Sequence, residues 1–141
     1  MTTHEVSSRR SPVWVQIVGG LAVAALSAGS WLAWMGWDHE YQVDPRTDTV
    51  SGPYETWQVA GCAVSLLVLL VAVLLLGVRW FVAAPMMTVA FTAAWTVTAA
   101  ATDDSGLYGV GAVALLLGLA AGTTAVSMGV LALRRLHAPG L

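Results

Sequence analysis

The chain has 141 residues, 57% of them hydrophobic and only 10% charged, with a net charge of −2 and a mean hydropathy of +0.75. A soluble domain usually carries about 25% charged residues, so this composition excludes an ordinary water-facing surface. With one cysteine (Cys62), an intrachain disulfide and a cysteine-based zinc site are excluded as well.

Residues 1–12 are polar, with Arg9 and Arg10 just before the first apolar run, and read as a short tail. Residues 13–36 contain no charge and suffice to cross a hydrocarbon core, which takes about 20 helical residues. A cleaved signal peptide is the competing reading. It is disfavoured because signal cores run to only about 7–15 apolar residues, whereas this run continues through Trp31, Leu32, Ala33 and Trp34. Gln16, near the start of the span, is expected to reach lipid headgroups.

Residues 37–57 form the one long polar stretch inside the chain. They hold five of the eight acidic residues (Asp38, Glu40, Asp44, Asp48 and Glu55) against one base, Arg46. Asp44-Pro45 suits the start of a type I turn, and Asp48 tolerates a left-handed backbone, so a short β-hairpin is expected here. Pro53 suits a first helical position and Glu55 favours the positive end of a helix dipole, so the second span is predicted over residues 53–78. The third is predicted over 81–101, with Pro85 either in its first turn or kinking it. Residues 102–106 form a polar turn in which Asp104 or Ser105 suits an N-cap. The fourth span, 107–133, is stopped by Arg134 and Arg135, and residues 134–141 are a stub.

The expected fold is therefore all-α, a single four-helix transmembrane domain over residues 13–133. Arg9, Arg10, Arg79, Arg134 and Arg135 flank one side of the spans and only Arg46 the other. The positive-inside rule then puts both termini in the cytoplasm and the acidic loop outside the plasma membrane. Trp14 and Trp80 fall at the inner boundary, and Trp34, Trp37 and Trp57 at the outer one, as interfacial anchors do.

Small residues recur along the fourth span at Gly111, Gly118, Ala125 and Ala132, with Gly122 and Gly129 between them. Gly20, Ala24 and Ala28 make a shorter seam in the first. Such faces let helix backbones approach closely in lipid, and use against neighbouring helices of the same chain is preferred to use against a second subunit. In the third span Thr88, Thr92 and Thr96 recur at spacing four. Each is expected to bond the carbonyl four residues back rather than line a polar path, because no ionisable group accompanies them. Thr123, Thr124 and Ser127 read the same way.

Asp38, His39 and Glu40, with Asp44 or Asp103, could start a divalent-cation site. A solvated acidic loop is preferred, since adjacent residues rarely converge on one ion. No phosphate-binding glycine loop, HExxH pair or nucleic-acid patch occurs, so neither cofactor, metal nor nucleic-acid partner is expected. No carboxylate, histidine or lysine lies within a span, and catalysis is not expected either.

Trp37-Asp38, Asp44-Pro45, Ser51-Gly52-Pro53-Tyr54-Glu55 and Trp57-Gln58, lying between the first and second spans, resemble the matching loop of uncharacterised small four-span integral membrane proteins of actinobacteria. The resemblance implies a location and an architecture and no activity. The functional expectation is a non-catalytic accessory or interaction subunit in the lipid bilayer. Its loop residues Asp38, His39, Glu40, Tyr41, Asp44, Arg46, Asp48, Tyr54 and Glu55 would meet another membrane protein or a second copy. The alternative is a transporter or channel component whose pathway forms by oligomerisation.

Overall fold

In the computed structural model the described residues are 10–138, without the side chains of Gln42 and Ser51. The tail through Arg9 and the last three residues of the expected stub lie outside them. The element order is α1 (Val13–Trp34), β1 (Gln42–Asp44), β2 (Thr49–Ser51), α2 (Thr56–Leu75), α3 (Trp80–Thr102) and α4 (Tyr108–His137). All four helices are long and apolar enough to cross a membrane, and the chain is a multi-pass membrane protein. Ile17, Val18, Leu21, Val68, Val89 and Leu117 are all more than half exposed on its flanks. In water such a belt would be costly; in lipid it needs no cover.

The helices form a bundle in which α1 packs against α2 and α3, and α4 against the same two, while α1 and α4 do not meet. The core runs through Val23 and Trp31 of α1, Cys62, Leu66, Leu70 and Leu74 of α2, and Met87 and Phe91 of α3. The α1–α3 contact is close because α1 offers glycines there. A Cβ at Gly20 would lie 3.2 Å from Val82, and one at Gly19 would collide with Val78 of the turn before α3.

Several helix ends differ from expectation, α2 stopping at Leu75 rather than 78 among them, and three of the differences have a clear local reason. α2 begins at Thr56, not at Pro53, because the Glu55 amide is capped by Gln58 Oε1 at 2.7 Å. α4 begins at Tyr108, with Leu107 rather than Asp104 or Ser105 at its N-cap. Asp103 reaches forward, and its Oδ2 accepts from the Tyr108 amide at 2.9 Å. α4 also runs on through Arg134 and Arg135 to His137; positive charge ends a membrane span but suits the last turn of a helix. Pro85 lies inside α3, just past its first turn.

α2 and α3 are joined by a tight turn in which Gly77 has φ +99°, a conformation that favours glycine. The turn is held from α1: the Gly77 carbonyl accepts from Ser11 Oγ (2.8 Å) and Gln16 Nε2 (3.0 Å), and the Arg79 amide donates to Gln16 Oε1 (2.9 Å). The expectation that Gln16 reaches headgroups is thus corrected. Arg134 of α4 adds bonds to the carbonyls of Leu74 (3.1 Å) and Leu75 (3.4 Å), tying α4 to the end of α2.

Candidate functional site

At the opposite end of the bundle the polar loop is built from its base upward. Asp38 Oδ2 accepts from Gln58 Nε2 at 3.1 Å, fixing the start of the loop to the first turn of α2. Tyr54 packs edge-on against Trp31, centroids 5.4 Å apart. Its phenol is pushed above its ordinary value by burial and then by Tyr41 and Asp38. Between these anchors β1 and β2 pair antiparallel, with Val43 opposite Val50 and Asp44 opposite Thr49. Asp44 Oδ1 accepts from the Arg46 amide at 2.8 Å, and Asp48 takes the left-handed backbone at φ 52°. Tyr41, Val43 and Val50 are exposed.

Of the loop residues singled out in the sequence, Asp38 anchors the base, Glu40 donates its amide to Asp38 Oδ1 at 3.3 Å, Glu55 is the N-cap of α2, and the other six divide into two groups. Asp44, Arg46 and Asp48 sit on the hairpin tip. His39, Tyr41 and Tyr54 instead line a hollow of mixed polar and apolar character, about 460 Å³, at the bundle's end, together with Trp95, Thr102, Asp103 and Tyr108 of the α3–α4 corner. Asp103 is held below its ordinary value, first by the Ser105 hydroxyl (2.5 Å) and then by backbone amides. Among the described residues no three His, Cys, Asp or Glu side chains are grouped as a metal site needs.

Below this hollow lies a second, of about 480 Å³, lined almost wholly by apolar side chains. Its floor is Met87 and Phe91 of α3 with Cys62, Leu66 and Leu70 of α2. The exposed Val59 and Leu67 form one bank and the exposed Gly118 and Gly122 the other, so it opens sideways between α2 and α4. The two helices are tied at the Arg134 end and part toward the hairpin end. Tyr54 and Trp95 line both hollows.

The glycine seam of α4 therefore needs correction. Only Gly111 meets another helix, its Cβ position 2.5 Å from the Trp95 ring. A Cβ at Gly118, Gly122 or Gly129 would meet nothing within 4 Å among the described residues, and Ala125 is exposed. The expected use of this seam within the chain fails there because α2 stands away from it. The threonines divide too. Thr96, Thr123 and Ser127 bond carbonyls four residues back, at 2.7, 2.7 and 2.6 Å. Thr88 instead pairs with Thr123 across α3–α4 at 3.3 Å, and the Thr92 hydroxyl, like that of Ser27, is buried without a partner among the described residues.

Sequence reading missed Trp95, Asp103 and Tyr108 as walls of one hollow. The α3–α4 corner is short, and only tertiary placement brings it beside the base of the hairpin. No protein-family model, curated protein or solved structure matches the chain.

Proposed function

We propose that this protein is a non-catalytic subunit of the plasma membrane, with both termini in the cytoplasm, that presents its acidic hairpin to a partner outside. The observation that carries this reading is the way the hairpin is mounted. Its base is fixed by the Asp38–Gln58 bond and the Tyr54–Trp31 contact, while Tyr41, Val43 and Val50 are left more than half exposed. A preordered surface loses less entropy on binding than a floppy loop does. Exposed aromatic and β-branched side chains beside acidic residues suit another membrane protein's extracytoplasmic face. The likeness to small actinobacterial four-span proteins fits the same reading.

A photo-crosslinking residue at Val43 or Val50 in living cells tests it. A discrete adduct at both positions, lost when Tyr41 is replaced by serine and absent when the crosslinker stands at Leu117, is expected. Equal, diffuse labelling at all three positions would refute it. The transporter reading gains the sideways hollow but lacks a polar route, since Thr96 and Thr123 are bonded within their own helices.

A further inference from the structure

We propose that the two hollows at the hairpin end form one binding site for an amphiphile, with an alkyl chain in the apolar hollow and a quaternary ammonium head in the upper one. They adjoin at Tyr54 and Trp95, which line both, so a molecule lying between α2 and α4 with its head past these two rings would reach from the apolar hollow into the upper one. Each falls within the roughly 300–1,000 Å³ typical of small-molecule sites.

The walls identify the class of occupant. The lower hollow offers methyl, methylene and ring surface, and its open bank is Gly118 and Gly122, where no side chain projects. An alkyl chain needs no more. The upper hollow is lined by four aromatic residues, Tyr41, Tyr54, Trp95 and Tyr108, and by the Asp103 carboxylate. Aromatic faces attract an ammonium through the ring quadrupole, and quaternary ammonium groups are recognised by such aromatic cages. A methylated head also asks for no hydrogen-bond acceptors, which suits an Asp103 already engaged by Ser105 and Tyr108.

Charge points the same way. This end of the molecule carries Asp38, Glu40, Asp44, Asp48, Glu55, Asp103 and Asp104 against Arg46 alone, with His39 the one other titratable base beside the hollow. The dipole of α4 places about half a positive charge at its start, and Asp103 more than offsets it. An anionic head would meet a net negative field. The occupant therefore differs from the protein partner of the hairpin; its site shares Tyr41 with the hairpin surface but does not use the exposed Val43 and Val50.

The test uses the full chain in nanodiscs of uncharged lipid, titrated with dodecyltrimethylammonium below its micellar range and read by tryptophan fluorescence and calorimetry against empty nanodiscs. Saturable binding of one molecule per chain, at least tenfold tighter than dodecyl sulfate or tetramethylammonium, is expected. Gly122→Leu fills the open bank where nothing stands within 4 Å, so the fold should survive while affinity falls tenfold or more. Tyr108→Leu should weaken the ammonium probe and leave any residual dodecanol binding alone. Non-saturable partitioning, equal binding of the sulfate, or unchanged affinity in folded Gly122→Leu would each overturn the proposal. Loss of hairpin crosslinks with this binding intact would refute only the partner reading.

Discussion

Gln16 Nε2 donates to the Gly77 carbonyl at 3.0 Å, while Oε1 of the same amide accepts from the Arg79 amide at 2.9 Å. One α1 side chain thus satisfies both sides of the turn between α2 and α3. A backbone group left unpaired in a nonpolar setting costs about 1–3 kcal/mol. Gln16→Leu is accordingly expected to lower stability by about that amount, and Gln16→Glu, which sets a carboxylate oxygen against the Gly77 carbonyl, by at least as much. Thermal unfolding in mild detergent measures both; a Gln16→Leu chain that melts like the parent would show that the bonds contribute nothing.

The two kinds of glycine on α4 separate in a second experiment. Gly111→Ala drives a methyl into the Trp95 ring, where 2.5 Å is available, and should destabilise by about 1–3 kcal/mol as overpacking does. Gly122→Ala meets open space and should leave stability unchanged or raise it by up to about 1 kcal/mol, the helix-propensity gain of alanine. The reverse order would mean that Gly122 faces a second chain.

These glycines also show how far the sequence could be read. The spans follow from runs of apolar residues, which are local. The spacing of Gly111, Gly118 and Gly129 is equally visible, but which helix stands opposite each is not. α2 closes on α4 near Arg134 and leaves it near Gly118, a matter of helix inclination that no periodicity encodes. His39 and Asp103 line one hollow for the same kind of reason: they are 64 positions apart and meet only through the bundle.

Two threonines of α3 should respond oppositely. Thr92 buries a hydroxyl with no partner, so Thr92→Val, nearly equal in shape, should keep or improve stability. Thr88→Val breaks the 3.3 Å pair with Thr123 and should cost about 0.5–1.5 kcal/mol, the net worth of a hydrogen bond. Liposomes add a functional readout: an ion flux that vanished in Thr92→Val would place that hydroxyl on a conducting path and favour the transporter reading.

Asp103 predicts a pH dependence. Its folded value lies below the ordinary 3.8, so the stabilising contribution is present above that value and is lost as pH falls through the lowered one. Between neutral pH and pH 3 the parent should lose more stability than Asp103→Asn does. Equal slopes for the two chains would remove the carboxylate from any role in starting α4.

Orientation is open to chemical labelling. In a Cys62→Ala background, Thr47→Cys should react with an impermeant maleimide added outside intact cells, and Ser7→Cys only after the cells are opened. Labelling of Thr47→Cys solely after opening would invert the topology.

The broad contact between α1 and α3, made intimate by Gly19 and Gly20, sets an order in time. When Trp34 has left the ribosome, the surface that α1 will rest on does not yet exist. Synthesis must reach Thr102 first, which at about 5–20 residues per second takes on the order of ten seconds. Until then the glycine face of α1 lacks the helix it packs against in the folded bundle. That face is covered once Val82 and Met86 arrive.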